Sequence, residues 1–213
     1  MGQAGDEETN QEDVAWMRLI ASGDETAFRH LVEKHQRAVI GTIGKMTNFS
    51  PDSEDLAQQV FVRVWKSAKK YQPTAKFTTY LFTITRNLVF NYTRKKSRQK
   101  EHSLEEQTDG WHQQLSDTTP GNQPDESLEH AELQSIVDQA IAQLPEKQRL
   151  AVILRRHEKM PYEEMATVLE LSVPAVKSQL FRARAALREI LSSYLEDCIL
   201  VKRSQATSPW SIF

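Results

Sequence analysis

The sequence predicts an all-α protein, built as two small helical domains joined by a flexible acidic linker. Apolar residues recur at spacings of three and four in two separate blocks, the mark of amphipathic helices. Between the blocks, from Glu101 to about Leu128, the period disappears. Gly, Pro, Ser, Asp and Gln accumulate there, as in Asp117-Thr118-Thr119-Pro120-Gly121-Asn122-Gln123-Pro124, a composition that buries too little apolar surface to order itself. Charge divides at the same place. Residues 63–100 contain Arg63, Lys66, Lys69, Lys70, Lys76, Arg86, Arg94, Lys95, Lys96, Arg98 and Lys100 with no Asp or Glu, whereas residues 101–132 contain nine acids and no Lys or Arg. The net charge of -2 over 213 residues conceals this segregation, and a hydrophobic content of 39% is that of a globular chain.

The first dozen residues are polar and read as frayed, with helical periodicity starting near Asp13. Val14, Met17, Leu19 and Ile20 lead to Gly23-Asp24, and a second helix carries Ala27, Phe28, Leu31, Val32, His35, Val39 and Ile43. Ser50-Pro51-Asp52-Ser53 reads as a helix start, with Ser50 capping and Pro51 in the first helical position. The helix from about Pro51 to Lys70 buries Leu56, Ala57, Val60, Phe61, Val64 and Ala68 and turns Asp55, Gln58, Gln59, Arg63 and Lys66 outward. Tyr71-Gln72-Pro73-Thr74 ends it, because proline cannot continue the ladder and disfavours helix in the residue before it. The next helix runs from Phe77 or Thr78 to Arg98. Leu81, Ile84, Leu88 and Tyr92 form its inner stripe; Thr79, Arg86, Asn87 and Asn91 face out. Phase sends Phe61, Trp65, Phe82 and Phe90 to the core and leaves Phe77 and Tyr80 open to either role. The first domain is therefore 13–100 and the linker 101–127.

The second domain, 128–195, begins with Leu128, Leu133, Ile136, Val137, Ile141 and Leu144. Pro145 opens a helix with Leu150, Val152, Ile153 and Leu154. A short helix over Pro161–Leu169, the tight turn Glu170-Leu171-Ser172 and a longer helix over Val173–Leu191 are the parts of a helix-turn-helix, whose second helix enters the major groove. On that helix Val173, Val176, Leu180, Ala183 and Leu187 keep the buried period, while Pro174, Lys177, Ser178, Phe181, Arg182 and Arg184 lie off it. The tail 196–213, with Cys198, Trp210, Ile212 and Phe213, has no assigned role.

Cations interleaved with Trp65, Tyr71, Phe77, Tyr80, Phe82, Phe90 and Tyr92 suit a nucleic acid, since cations hold phosphates and ring faces stack on unpaired bases. Other classes recede. One cysteine permits neither an internal disulfide nor a multi-cysteine metal site. The six histidines show no metal-ligand spacing, and no Gly-rich phosphate loop, catalytic dyad or triad occurs, so no cofactor is expected. The acidic start MGQAGDEETNQED is unlike a signal peptide and no apolar run reaches a membrane span, so a cytoplasmic protein without membrane insertion is expected.

The run Asp55-Leu56-Ala57-Gln58-Gln59-Val60-Phe61-Val62-Arg63-Val64-Trp65, followed by Phe77-Thr78-Thr79-Tyr80-Leu81-Phe82-Thr83-Ile84-Thr85-Arg86-Asn87 and Arg94, resembles region two of bacterial RNA polymerase sigma factors. The short, extracytoplasmic-function group is the best match. The resemblance implies docking on the coiled coil of the polymerase clamp through Asp55, Gln58, Gln59 and Arg63. It also implies opening of the minus-10 promoter element by the next helix and its preceding loop. Lys69, Lys70, Tyr71, Lys76, Phe77, Thr79, Tyr80, Arg86, Asn87, Asn91, Arg94 and Lys95 are its candidate minus-10 residues. Gln59 stands where the family commonly has Glu, and Tyr80 where it often has Trp.

Leu144–Arg149, Tyr162–Ala166 and Val176–Arg184 resemble sigma region four, the reader of the minus-35 element. The resemblance implies minus-35 contact by Pro174, Lys177, Ser178, Phe181, Arg182 and Arg184, with Lys177 and Arg182 suited to guanine edges. Ala175 and Gln179 replace residues common in the family. The implied partners are core RNA polymerase, at its clamp coiled coil and flap, promoter DNA and an anti-sigma factor. The linker acids would lie near the polymerase cleft. A DNA-binding regulator acting without polymerase needs only the second domain, and a single-strand RNA binder needs only the basic stretch.

Overall fold

The computed structural model describes residues 2–103 and 124–206, and every regular element among them is helical. Helices α1 (Gly2–Ala21), α2 (Glu25–Thr47), α3 (Ser53–Ser67) and α4 (Phe77–Ser103) form the first group, with a single 3₁₀ turn at Ala68–Lys70 after α3. The second group is α5 (Pro124–Ala142), α6 (Glu146–Arg156), α7 (Tyr162–Leu169) and α8 (Val173–Ala206). Trp111 in the linker and Trp210, Ile212 and Phe213 in the tail lie outside the described residues.

The amino-terminal segment is helical well before Asp13, contrary to the frayed start expected from its polarity. Its polar groups have tertiary partners. Asn10 Oδ1 accepts the Phe77 amide at 2.8 Å, and the Thr9 carbonyl accepts Lys34 Nζ at 3.0 Å. Asp13 is buried, with Oδ1 2.7 Å from Lys34 Nζ and 3.0 Å from His35 Nε2. Burial alone would lower the pKa of the Lys34 ammonium; hydrogen bonds and charge from Asp13 and Glu12 outweigh it and leave it raised.

Helix α2 starts where expected because Asp24 Oδ1 accepts the amides of Thr26 and Ala27 at 2.8 and 2.9 Å. It ends at Asn48 and Phe49, both left-handed (φ 55 and 52), and the Phe49 ring folds back over Gly44. A Cβ on Gly44 would stand 2.9 Å from that ring, so a larger residue there would have to displace the exposed Phe49 side chain.

Helix α3 begins two residues later than the Ser50-Pro51 signal suggests. The Ser50 carbonyl accepts the Ser53 amide at 2.9 Å and the Ser53 hydroxyl at 2.6 Å, closing a turn. Ser50 Oγ is engaged by Asp52 and Tyr92 instead of capping. Within α3 the whole expected inner set, Leu56, Ala57, Val60, Phe61 and Val64, is buried, as is Ala68 in the turn that follows. It packs with Met17, Leu31, Val39 and Ile43 from α1 and α2 and with Leu81 from α4. Phe28 and Trp65 meet edge to face, centroids 5.0 Å apart.

The second group packs on the first, and one apolar core continues through both. Arg149 wedges into the junction. Its guanidinium donates to the carbonyls of Met46 (2.9 Å), Leu144 (3.2 Å) and Ala142, and burial lowers its pKa. Lys45 Nζ reaches Asp138 at 2.9 Å across the same seam. Helix α8 runs past the expected end at Leu191 to Ala206.

Glu158, in the turn after α6, lines a groove against α2 with Lys34, Thr42, Lys45 and His157. Burial raises its carboxyl above the ordinary 4.5, an effect partly offset by His35. The folded state therefore holds this proton to higher pH than the unfolded chain. Stability falls as pH rises from about 4.5 through the raised folded value. Glu158→Gln is expected to raise the melting temperature near pH 7 and to leave it unchanged near pH 4; an equal shift at both values, read by calorimetry, would contradict this.

Candidate nucleic-acid interface

The helix-turn-helix is set by local capping. Glu170 ends α7 in the left-handed region (φ 53), with its amide on the carbonyls of Ala166 and Thr167, and the Leu171 amide returns to Ala166 at 3.0 Å. Ser172 Oγ accepts the Ala175 amide at 3.3 Å and caps α8. From this fixed start Val176, Leu180 and Ala183 go inward. Pro174, Lys177, Ser178, Phe181, Arg182 and Arg184 are all exposed, Phe181 at 74%. Lys177 Nζ stands 5.5 Å from the centre of the Tyr162 ring, which also carries the Arg155 guanidinium at 4.8 Å. Such a helix face offers cations, a hydroxyl and a ring to a duplex groove.

On α3, Asp55, Gln58, Gln59 and Arg63 are exposed along one outer face, and Val62 among them is 47% exposed.

The basic, aromatic segment is arranged differently from the sequence expectation. Phe77, a candidate stacking residue, is fully buried, with its ring 5.2 Å from His35. Thr79 and Arg86, expected to face outward, are 1% and 6% exposed because α7 lies over them. Thr79 donates to Glu164 Oε2 at 3.2 Å, and Arg86 Nη2 meets Glu170 Oε1 at 2.5 Å. Lys76 is half-buried, 2.9 Å from Glu164 Oε1. Arg86 holds the Glu170 carboxyl below its usual range, through the hydrogen bond first and its charge second.

Tyr71 and Tyr80 are half-buried with ring centres 5.0 Å apart, and the Tyr80 hydroxyl shares a 2.5 Å hydrogen bond with Ser67. Burial and then the Asp13 charge raise the Tyr71 phenol. Lys69, Lys70, Asn87, Asn91, Arg94 and Lys95 are exposed, with Asn91 Oδ1 accepting Arg94 at 2.8 Å. Lys66 is exposed on α3 beside Arg63. With Arg63, Ser67, Lys70, Tyr80 and Ile84 it lines a shallow groove of 480 Å³. The pairing of Glu164 with Thr79 and of Glu170 with Arg86 joins distant stretches of the chain and is marked by no local pattern.

Comparison with known proteins covers both groups. Sigma-70 region 2 matches residues 31–99, and Sigma-70, region 4 matches residues 134–187. The chain is 30% identical over 194 residues to the RNA polymerase sigma-H factor of Pseudomonas aeruginosa, spanning 89% of this chain and 98% of that one. It is 30% identical over 178 residues to the ECF RNA polymerase sigma-E factor of Haemophilus influenzae, spanning 81% and 91%. Among solved structures it is similar to CnrH in complex with the cytosolic domain of CnrY, with a TM-score of 0.62, 25% identity and coverage of 85% and 98%. It shares the fold of the sigma factor RpoE in complex with the anti-sigma factor NepR from Bartonella quintana, with a TM-score of 0.62, 22% identity and coverage of 78% and 96%. With Sigma-70 regions 2 and 4 matched in one chain and two sigma factors 30% identical over most of its length, the protein belongs to the extracytoplasmic-function group of RNA polymerase sigma factors.

Proposed function

We infer that the protein binds core RNA polymerase through the outer face of α3, reads the minus-35 duplex with α8, and melts and holds the minus-10 strand with the loop after α3 and the face of α4. The observation that carries this reading is the coexistence of two complete surfaces. A regulator that never joined polymerase would need α7 and α8 alone, leaving the exposed row Asp55, Gln58, Gln59, Val62 and Arg63 and the acid-free basic segment without a use.

Base unstacking costs a few kcal/mol per step and is offset by capture of the freed bases, with aromatic stacking contributing roughly 1–3 kcal/mol each. With Phe77 in the core, capture falls to the exposed edge of Tyr80 and to the groove cations Arg63, Lys66 and Lys70. Lys69, Arg94 and Lys95 supply the salt-dependent phosphate contribution.

The protein contributes binding energy and no catalytic group; nucleotide chemistry belongs to the polymerase. It acts in the cytoplasm, where promoter DNA and polymerase are. Among the described residues no helix is long and apolar enough to cross a membrane. An inhibitory protein partner of the anti-sigma kind, named for one of the structural neighbours, is proposed for this chain too. Size-exclusion chromatography tests the polymerase step. Protein and core enzyme should elute as one complex, and separate elution at micromolar concentration would return the reading to an independent regulator.

A further inference from the structure

The groove between α3 and α4 is built around a tyrosine whose hydroxyl proton is already committed. Arg63, Lys66, Ser67, Lys70, Tyr80 and Ile84 line it, so its wall carries three cations and, among the described residues, no carboxylate. Ser67 Oγ lies 2.5 Å from the Arg63 carbonyl oxygen and 2.5 Å from the Tyr80 hydroxyl. Two oxygens that close repel unless a proton lies between them, and each hydroxyl has one proton to give. A carbonyl can only accept, so the Ser67 proton goes to Arg63. The proton shared with Tyr80 must then come from the phenol. Tyr80 therefore donates to Ser67 and has only lone pairs left to offer the groove. Its ring is held as well, with ring centres at 5.0 Å for Tyr71 and 6.1 Å for the buried Phe77.

We propose that Ser67 is a positioning residue that makes Tyr80 a fixed acceptor, so that the groove selects an unpaired base carrying an exocyclic amine. Adenine and cytosine present such an amine on the edge freed by melting, and its N–H would donate to the phenol oxygen. Thymine presents there an imino N–H flanked by two carbonyl oxygens, which the phenol lone pairs would repel. Arg63, Lys66 and Lys70 hold the flanking phosphates without regard to sequence. A tryptophan at position 80 could stack on a base but could not accept from it, since an indole N–H only donates. Ser67 thus acts because residue 80 is a tyrosine. The inference rests on the proposed capture of the minus-10 strand by this groove.

The test uses the full-length protein in complex with saturating core RNA polymerase, with core enzyme alone as the baseline. Anisotropy reads the affinity for fluorescein-labelled dA12 and for its deoxynebularine counterpart, the same purine without the amine. Wild type should prefer dA12 about fivefold, the size of one net hydrogen bond. Tyr80→Phe, which keeps the ring, and Ser67→Ala should abolish that preference, and Ser67→Thr, which keeps the hydroxyl, should restore it. A role of Ser67 in folding alone would lower both affinities equally and leave the preference intact. An undiminished preference in either variant, or none in wild type, would overturn the proposal. Lys66→Ala/Lys70→Ala judges the groove itself: weaker binding of both strands upholds strand capture whatever the preference, and unchanged binding of both removes that reading and the inference together.

Discussion

Phe77→Ala should lower the free energy of unfolding by about 3–5 kcal/mol, the range for removing a fully buried phenylalanine whose surroundings relax only in part. The ring is completely buried, with neighbouring centroids at 5.2 Å for His35, 6.1 Å for Tyr80 and 6.2 Å for Tyr71. Collapse into the vacated space is resisted because the Phe77 amide is tied to Asn10 on α1. Urea denaturation measures the loss. A base-stacking Phe77 would behave oppositely, with stability near wild type and single-strand affinity reduced, and that outcome would contradict the assignment to the core.

Arg182→Ala should weaken binding to a promoter duplex by about 1–3 kcal/mol, the worth of one good contact to a guanine edge, and relax preference at one base pair. Arg182 is exposed on α8 beside the buried stripe of Val176, Leu180 and Ala183. Its removal should therefore change stability by no more than about 0.5 kcal/mol, as at ordinary surface positions. Titration of the variant against duplexes altered one base pair at a time separates the possibilities. A uniform loss across all sequences would make Arg182 a phosphate contact.

The elements were legible in the sequence where a single helix decides its own phase. The inner residues of α3 and α8 followed the 3.6-residue period because each helix has one buried stripe, and the turn at Glu170-Leu171-Ser172 was plain from its position between two such stripes. Side chains recruited by distant partners were not legible. Ser50 looked like a cap, but its hydroxyl is held by Asp52 and Tyr92, so the helix starts at Ser53. Thr79 and Arg86 lie on the outward phase of α4, and their burial comes from acids 85 and 84 residues away in the chain. Likewise the polar segment before Asp13 is ordered by Phe77 and Lys34, which periodicity within that segment cannot indicate. The outward exposure of the six α8 residues and of the α3 row was readable from phase, while any role for them came only from the family resemblance; the division of the aromatic segment between core and surface depended on which helices cover it.

Reconstituted transcription tests the central claim most directly. Core RNA polymerase and fragments of the source genome are incubated with and without the protein, and RNA 5′ ends are mapped. Discrete start sites preceded by a shared pair of upstream elements should appear only when protein and core enzyme are both present. Complex formation without any protein-dependent start site, or start sites identical to those of core enzyme alone, would contradict the account.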